Sequence, residues 1–147
     1  MTSVRPGVVP SILNDPHADP CTQPFWSAAL EGRVTAQECT QCGLRLLPAA
    51  PRCFRCQNSE FRTVDLPGTG TVYSFIIVRH ALRPSLKNVV PYVSAVIELD
   101  QTQGAGARMI VNVIDCDPET VAIGDRVRIV FERVSDTFAV PRAVSVK

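Results

Sequence analysis

Four cysteines constrain this chain more than any other feature: Cys39 and Cys42, then Cys53 and Cys56, form two C-x-x-C pairs with ten residues between them. Each pair fits a tight knuckle whose sulfurs converge from one side, and two facing knuckles set four thiolates at the corners of a tetrahedron. That donor set suits Zn²⁺, with Zn–S near ~2.3 Å. Because protein fills every corner, no position stays open for water, so the ion serves folding rather than catalysis. Disulfides, thioredoxin-like redox motifs and ferredoxin-type clusters use C-x-x-C singly or at other spacings. Rubredoxin-type iron uses the same four thiolates, and the spacing leaves it open. Gly43 follows the first knuckle, where a residue without Cβ takes positive φ at no steric cost. The second knuckle has Gln57 and Asn58 instead, and Asn is the better suited to left-handed geometry.

A chain of 147 residues holds one ordinary domain or a small metal module joined to a modest core, and the cysteine spacing favours the second. No apolar run is long enough for a bilayer, and residues 1–20 lack the hydrophobic stretch of a signal peptide. Metal-binding thiolates and no export signal together predict a soluble, cytoplasmic protein. Residues 1–67 carry six Arg against six Asp or Glu, and residues 68–147 carry nine Lys or Arg against eight. Neither half has the basic surface that phosphate neutralisation needs, which argues against nucleic acid as a partner. Four thiolates around Zn²⁺ add a formal charge of about −2, which Arg52 and Arg55 beside the second knuckle are placed to offset.

Residues 1–23 read as a proline-rich arm: Pro6, Pro10, Pro16, Pro20 and then Pro24 remove backbone donors and favour extended chain. The arm is expected to be irregular unless the domain surface or a partner holds it. From Pro24 a short helix is predicted, ending near Gly32, with Trp26 and Leu30 on one face and Phe25 and Ala29 beside them. Such a helix is too apolar to lie free in water. It docks either on its own chain or, through Phe25, Trp26 and Leu30, on another subunit.

Residues 33–38 and 44–47 bracket the first knuckle as short strands and 61–66 supply a third, so residues 24–67 read as helix plus zinc ribbon. Pro67-Gly68-Thr69-Gly70 marks a boundary, and from residue 71 the hydrophobic period is two. Strands are predicted at 71–79, 92–99, 108–114, 126–134 and 139–146, with a hairpin loop at 101–107 and a helical turn within 117–124. The fold class is therefore mainly β, with a five-stranded OB-type barrel over residues 68–147. Closure is preferred to an open sheet because both faces of 71–79 look apolar, Tyr73, Phe75 and Ile77 opposite Val72, Ile76 and Val78. The long loop 82–90 borders the face where OB folds usually bind.

Catalytic groups are sparse. His17 lies in the arm, and His80 has no placed nucleophile beside it. Cys116 sits between Asp115 and Asp117, whose charges oppose thiolate formation, and Cys21 reads as an incidental thiol. No Ser-His-Asp, dinucleotide-binding or phosphate-loop pattern is present. The expectation is a binding or scaffold module with no catalytic residues.

Several stretches then appear in a telling order: Phe25-Trp26, Cys39-Thr40-Gln41-Cys42-Gly43, Pro51-Arg52-Cys53-Phe54-Arg55-Cys56, Gly68-Thr69-Gly70-Thr71-Val72-Tyr73-Ser74, Pro91-Tyr92-Val93 and Ile123-Gly124-Asp125-Arg126-Val127. The chain from about residue 24 onward resembles the proteins in which a rubredoxin-like zinc ribbon is fused to an OB fold, catalogued as domain of unknown function number thirty-five. One departure is 47–51, Leu-Pro-Ala-Ala-Pro, where the family has a tighter proline pair. The resemblance implies a non-catalytic accessory subunit of a thiolase-like enzyme acting on acyl-CoA esters, either a ketoacyl-CoA thiolase or an aldolase of the lipid-transfer-protein-like, steroid side-chain type. It further implies one structural zinc, an assembly of two plus two chains and an open question of direct contact with acyl-CoA. Rival readings are a stand-alone acyl-CoA-binding protein and a single-stranded nucleic-acid-binding module.

Overall fold

The computed structural model describes residues 5–10, 19–103 and 107–146. His17 and the Gly104 and Gly106 of the expected hairpin loop fall outside them. Among the described residues the helix α1 spans Gln23–Leu30. The strands are β1 (Val34–Cys39), β2 (Arg45–Leu46), β3 (Phe61–Leu66), β4 (Thr69–Val78), β5 (Tyr92–Leu99), β6 (Arg108–Ile114), β7 (Arg126–Arg133) and β8 (Ala139–Ser145). The first three form a sheet in the order β2-β1-β3, and the last five close into a barrel, β4-β5-β6-β8-β7. The β6–β8 pair is parallel and the others are antiparallel. The helical turn expected within 117–124 shrinks to one 3₁₀ turn, Pro118–Thr120, because Asp117 caps Glu119 and Val121 is already extended.

The barrel closes as expected, but not for the reason given by simple alternation along β4. Pairing with β5 shifts between Val72 and Ser74, so Tyr73 is an extra, bulged residue. Val72 points into the core, 1% exposed, yet beyond the bulge it is Phe75 and Ile77 that pack there. Tyr73, expected beside Phe75 and Ile77, is turned outward under Arg108, whose guanidinium carbon lies 3.6 Å from the ring centroid.

One hydrophobic core crosses the boundary between ribbon and barrel. Val34, Ala36, Leu47 and Leu66 from the ribbon pack in the same cluster as Val93, Ile97, Val111 and Val127 from the barrel. Backbone bonds reinforce the junction, Arg108 N–H to Leu47 O at 3.0 Å and Ile129 N–H to Gly68 O at 2.7 Å. Glu38 adds a cross-strand ion triad. It faces Arg45 on β2 and Arg62 on β3, and those two guanidiniums hold its carboxyl below the usual range despite burial. Arg45 reaches on to Gln101 O at 2.7 Å, tying the ribbon to the barrel again.

Residues 5–10 of the arm are held by the barrel surface, through a device the sequence did not reveal. Asn112 on β6 and Arg142 on β8 are register partners, and both are buried although polar. Asn112 Oδ1 accepts Val9 N–H at 3.0 Å, its Nδ2 donates to Gly7 O at 3.1 Å, and Arg142 Nη2 donates to Val9 O. Gly7, at φ 75°, donates to Val89 O. Removing the amide in Asn112→Ala leaves the Val9 N–H without its acceptor. We expect amide hydrogen exchange at Val9 to speed by tenfold or more while β6 stays protected, and unchanged exchange would show that the arm is held by other contacts.

Candidate metal centre and apolar groove

Each knuckle is built by the same backbone turn. Gly43 N–H donates to Cys39 O at 2.9 Å, and Gln57 N–H donates to Cys53 O at 2.8 Å. Both turn residues are left-handed, Gly43 at φ 69° and Gln57 at φ 63°. The expectation that Asn58 suits this position is corrected: Gln57 takes it, because the second turn repeats the first residue for residue. Asn58 is used otherwise, its Nδ2 lying 3.5 Å from Cys39 Sγ and 2.8 Å from Glu60 O.

All four sulfurs lie within 4.8 Å of one another, with Cys39–Cys56 and Cys42–Cys53 each at 3.5 Å. A tetrahedral thiolate site with ~2.3 Å metal–sulfur bonds has edges of about 3.8 Å, so the sulfurs fit a single ion. Burial opposes ionisation of the Cys39 thiol, but the Asn58 amide and the N–H groups of Cys42 and Gln41 outweigh it and bring the thiol down to about 6. Cys53 is lowered likewise against burial, by the N–H groups of Cys56 and Arg55. The Asn58 N–H favours the Cys56 thiolate, yet burial and the three other cysteines push that thiol up to about 12. Without a cation the cluster cannot carry four charges. A divalent ion resolves the conflict, and the four cysteines form a metal-binding site. Arg52 bonds Gln57 O at 3.2 Å, bracing the second turn.

The helix α1 packs across β1 of the ribbon and β7 and β8 of the barrel. Ala28 and Ala29 are buried, while Phe25, Trp26 and Leu30 are half-buried. Phe25 packs on Phe131 with centroids 6.5 Å apart, and Trp26 on Phe138 at 5.0 Å. The helix therefore docks on its own chain, yet its aromatic residues also wall an open groove of about 490 Å³. Leu47, Pro48 and Ala49 of the ribbon form a second wall, and Met109, Ile110 and Pro141 complete it from the barrel. Leu30 does not line that groove. Its one charged lining residue is Arg108, engaged with Glu98 at 2.9 Å.

The remaining candidates have structural work or stand apart. Asp115 pairs with Arg5 at 2.6 Å, and Asp117 accepts Glu119 N–H at 3.0 Å. Cys116 is half-buried, its thiol pushed up by burial and by Asp117, Asp115 and Asp125. His80 is exposed at the end of β4, and Cys21 is half-buried beside Gln37, which bonds its carbonyl. No helix of the described residues is long and apolar enough to cross a membrane.

Two family models match in succession: the ChsH2 rubredoxin-like zinc ribbon domain over residues 26–62, and the ChsH2 C-terminal OB-fold domain over residues 63–132. A DUF35 domain-containing scaffold protein of Methanothermobacter thermautotrophicus is 31% identical over 104 residues, covering 70% of this chain and 74% of that protein. The chain belongs to the DUF35 family. Another relative of this DUF35 protein, the probable enoyl-CoA hydratase alpha subunit of Thermomonospora curvata, is 35% identical over 101 residues. That match covers 68% of the chain but 30% of the relative, so the chain spans about a third of the hydratase subunit's length. Among solved structures, a chain of the Ltp2-ChsH2(DUF35) aldolase superposes with a TM-score of 0.75 at 27% identity, covering 88% of this chain and 98% of that one.

The cysteines were legible from spacing alone. Glu38, Asn112 and Arg142 were not, since each acquires its role only when neighbouring strands are in register.

Proposed function

We propose that this DUF35 chain is a non-catalytic, zinc-containing accessory subunit of a thiolase-like enzyme acting on acyl-CoA esters. The observation that carries this reading is the apolar groove built jointly by helix, ribbon and barrel, in a chain whose ribbon also carries a closed tetrathiolate site. A metal with four protein ligands organises structure, and an apolar concave surface suits recognition. Relatives named as hydratase and aldolase subunits support the same direction. In this reading residues 1–23 are an arm, 24–67 the helix and ribbon, and 68–147 the OB domain. Two such chains serve a two-fold partner dimer in the cytoplasm. Phe25, Trp26 and Leu30 contribute to the partner surface, Phe25 and Trp26 through the groove they wall.

Co-expression with the thiolase-like subunit of the same source tests it. A stable complex is expected, and Trp26→Ala weakens it by about 2 kcal/mol or more if the indole is an interface anchor. Full activity of the large subunit alone, with no association between the two, would refute the reading. Calorimetry of the lone chain with a CoA ester separates it from an acyl-CoA-binding protein that acts by itself.

A further inference from the structure

Ile110 stands 75% exposed on the outer face of β6, between two hollows. The groove of about 490 Å³ lies on one side, and a second of about 390 Å³ lies on the other. Trp26, Ile110 and Pro141 border both, so Ile110 is a ridge and not the rim of a single cavity. The apolar surface continues across the sheet. Val96 is the register partner of Ile110 on β5, and Ile76, 63% exposed, pairs with Ser94 two residues from Val96. Isolated exposed apolar residues are ordinary, but a ridge with an apolar trough on each flank is not.

Charge decides what fits there. The charged residues lining the two hollows, among those described, are Arg108 and Arg142. Arg108 is committed to Glu98 and to the Tyr73 ring, and Arg142 to Glu132 and the arm carbonyl of Val9. A polyanion finds no unpaired cation among these lining residues, whereas an uncharged apolar protein surface meets two cations that already have their partners. The second hollow is also walled by Val9 and Pro10, whose position depends on the buried Asn112–Arg142 pair.

We propose that the outer face of β5 and β6 is the principal docking surface for the partner subunit. Ile110 seats in an uncharged apolar hollow of that subunit, and partner side chains fill the flanking grooves. This rests on the accessory-subunit reading above and adds where contact is made: the sheet face centred on Ile110 carries it, and α1 and the clamped arm are its walls.

The test measures binding of the purified full chain to the thiolase-like subunit of its own source. Ile110→Asp is expected to weaken binding at least tenfold, and Ile110→Ala at least fivefold, with metal content and thermal midpoint unchanged. Ile123→Asp is the control, being 69% exposed and outside both hollows. It should bind like the unaltered chain. Binding of both Ile110 variants within twofold of the unaltered chain overturns the surface assignment while leaving the accessory role intact. An equal loss in Ile123→Asp does the same. Absence of any complex with the unaltered chain overturns both proposals together. Sedimentation of the chain alone closes the remaining route: self-association abolished by Ile110→Asp would make this face a contact between two copies and overturn the assignment.

Discussion

Cys53→Ser, or removal of the metal by a chelator under reducing conditions, unravels the tip of the ribbon and leaves the barrel folded. The tip has little else to hold it: its buried cluster is Cys39, Leu44, Leu46 and Cys53, so two of four members are metal ligands. Structural zinc in comparable small modules contributes about 10 to 16 kcal/mol of apparent binding energy, more than so few side chains supply by burial. The far end of the same sheet is different. Val34, Ala36 and Leu66 belong to the main core and stay anchored to the barrel. Hydrogen exchange should therefore lose protection across residues 39–46 and 52–58 while Leu47, which shares the main core, and β4 to β8 keep theirs, and elemental analysis of the intact chain should give one zinc per molecule. A reduced, metal-free sample whose tip retains full protection would contradict this account.

Gly70→Val costs the barrel about 3 kcal/mol, at the upper end for overpacking. At Gly70, β4 is paired on both sides, with Leu99 of β5 and Val127 of β7. A Cβ built there would come within 2.7 Å of Ile97 Cγ2 and closer still to the Glu98 carbonyl oxygen. Ile97 is wholly buried and the carbonyl is main chain, so neither can give way without shifting a strand of the closed sheet. For a chain of this length that cost corresponds to a fall of roughly 6–12 °C in thermal midpoint. A variant melting within about 2 °C of the parent would mean that the strands separate more easily than the packing implies.

Local signals carried most of the fold into the sequence. C-x-x-C pairs encode knuckles because turn and ligand lie within five residues, and period-two stretches encode strands because each faces one core. The bulge at Tyr73 left no such mark. One extra residue changes register without changing composition, so alternation grouped Tyr73 with Phe75 and Ile77, and Val72 with Ile76, where the bulge separates them. Gln57 was hidden by propensity, since Asn58 is the better left-handed residue in isolation and the turn's geometry overrides that preference. The arm clamp was out of reach for a different reason: Val9 and Asn112 are 103 residues apart, and nothing in either neighbourhood announces the other. Partner recognition was legible only as a helix needing cover, and the structure divides that need between Phe131 and Phe138 within the chain and a groove left open.

Leu47, Pro48 and Ala49 are at once the continuation of the ribbon's second strand and one bank of the groove. The barrel holds this bank as well, since Leu47 packs in the main core and its carbonyl accepts the Arg108 N–H. A chain stripped of its ion would thus keep Leu47 seated while the knuckles beyond it loosen. The hollow can outlast the metal, so emptying one need not erase the other.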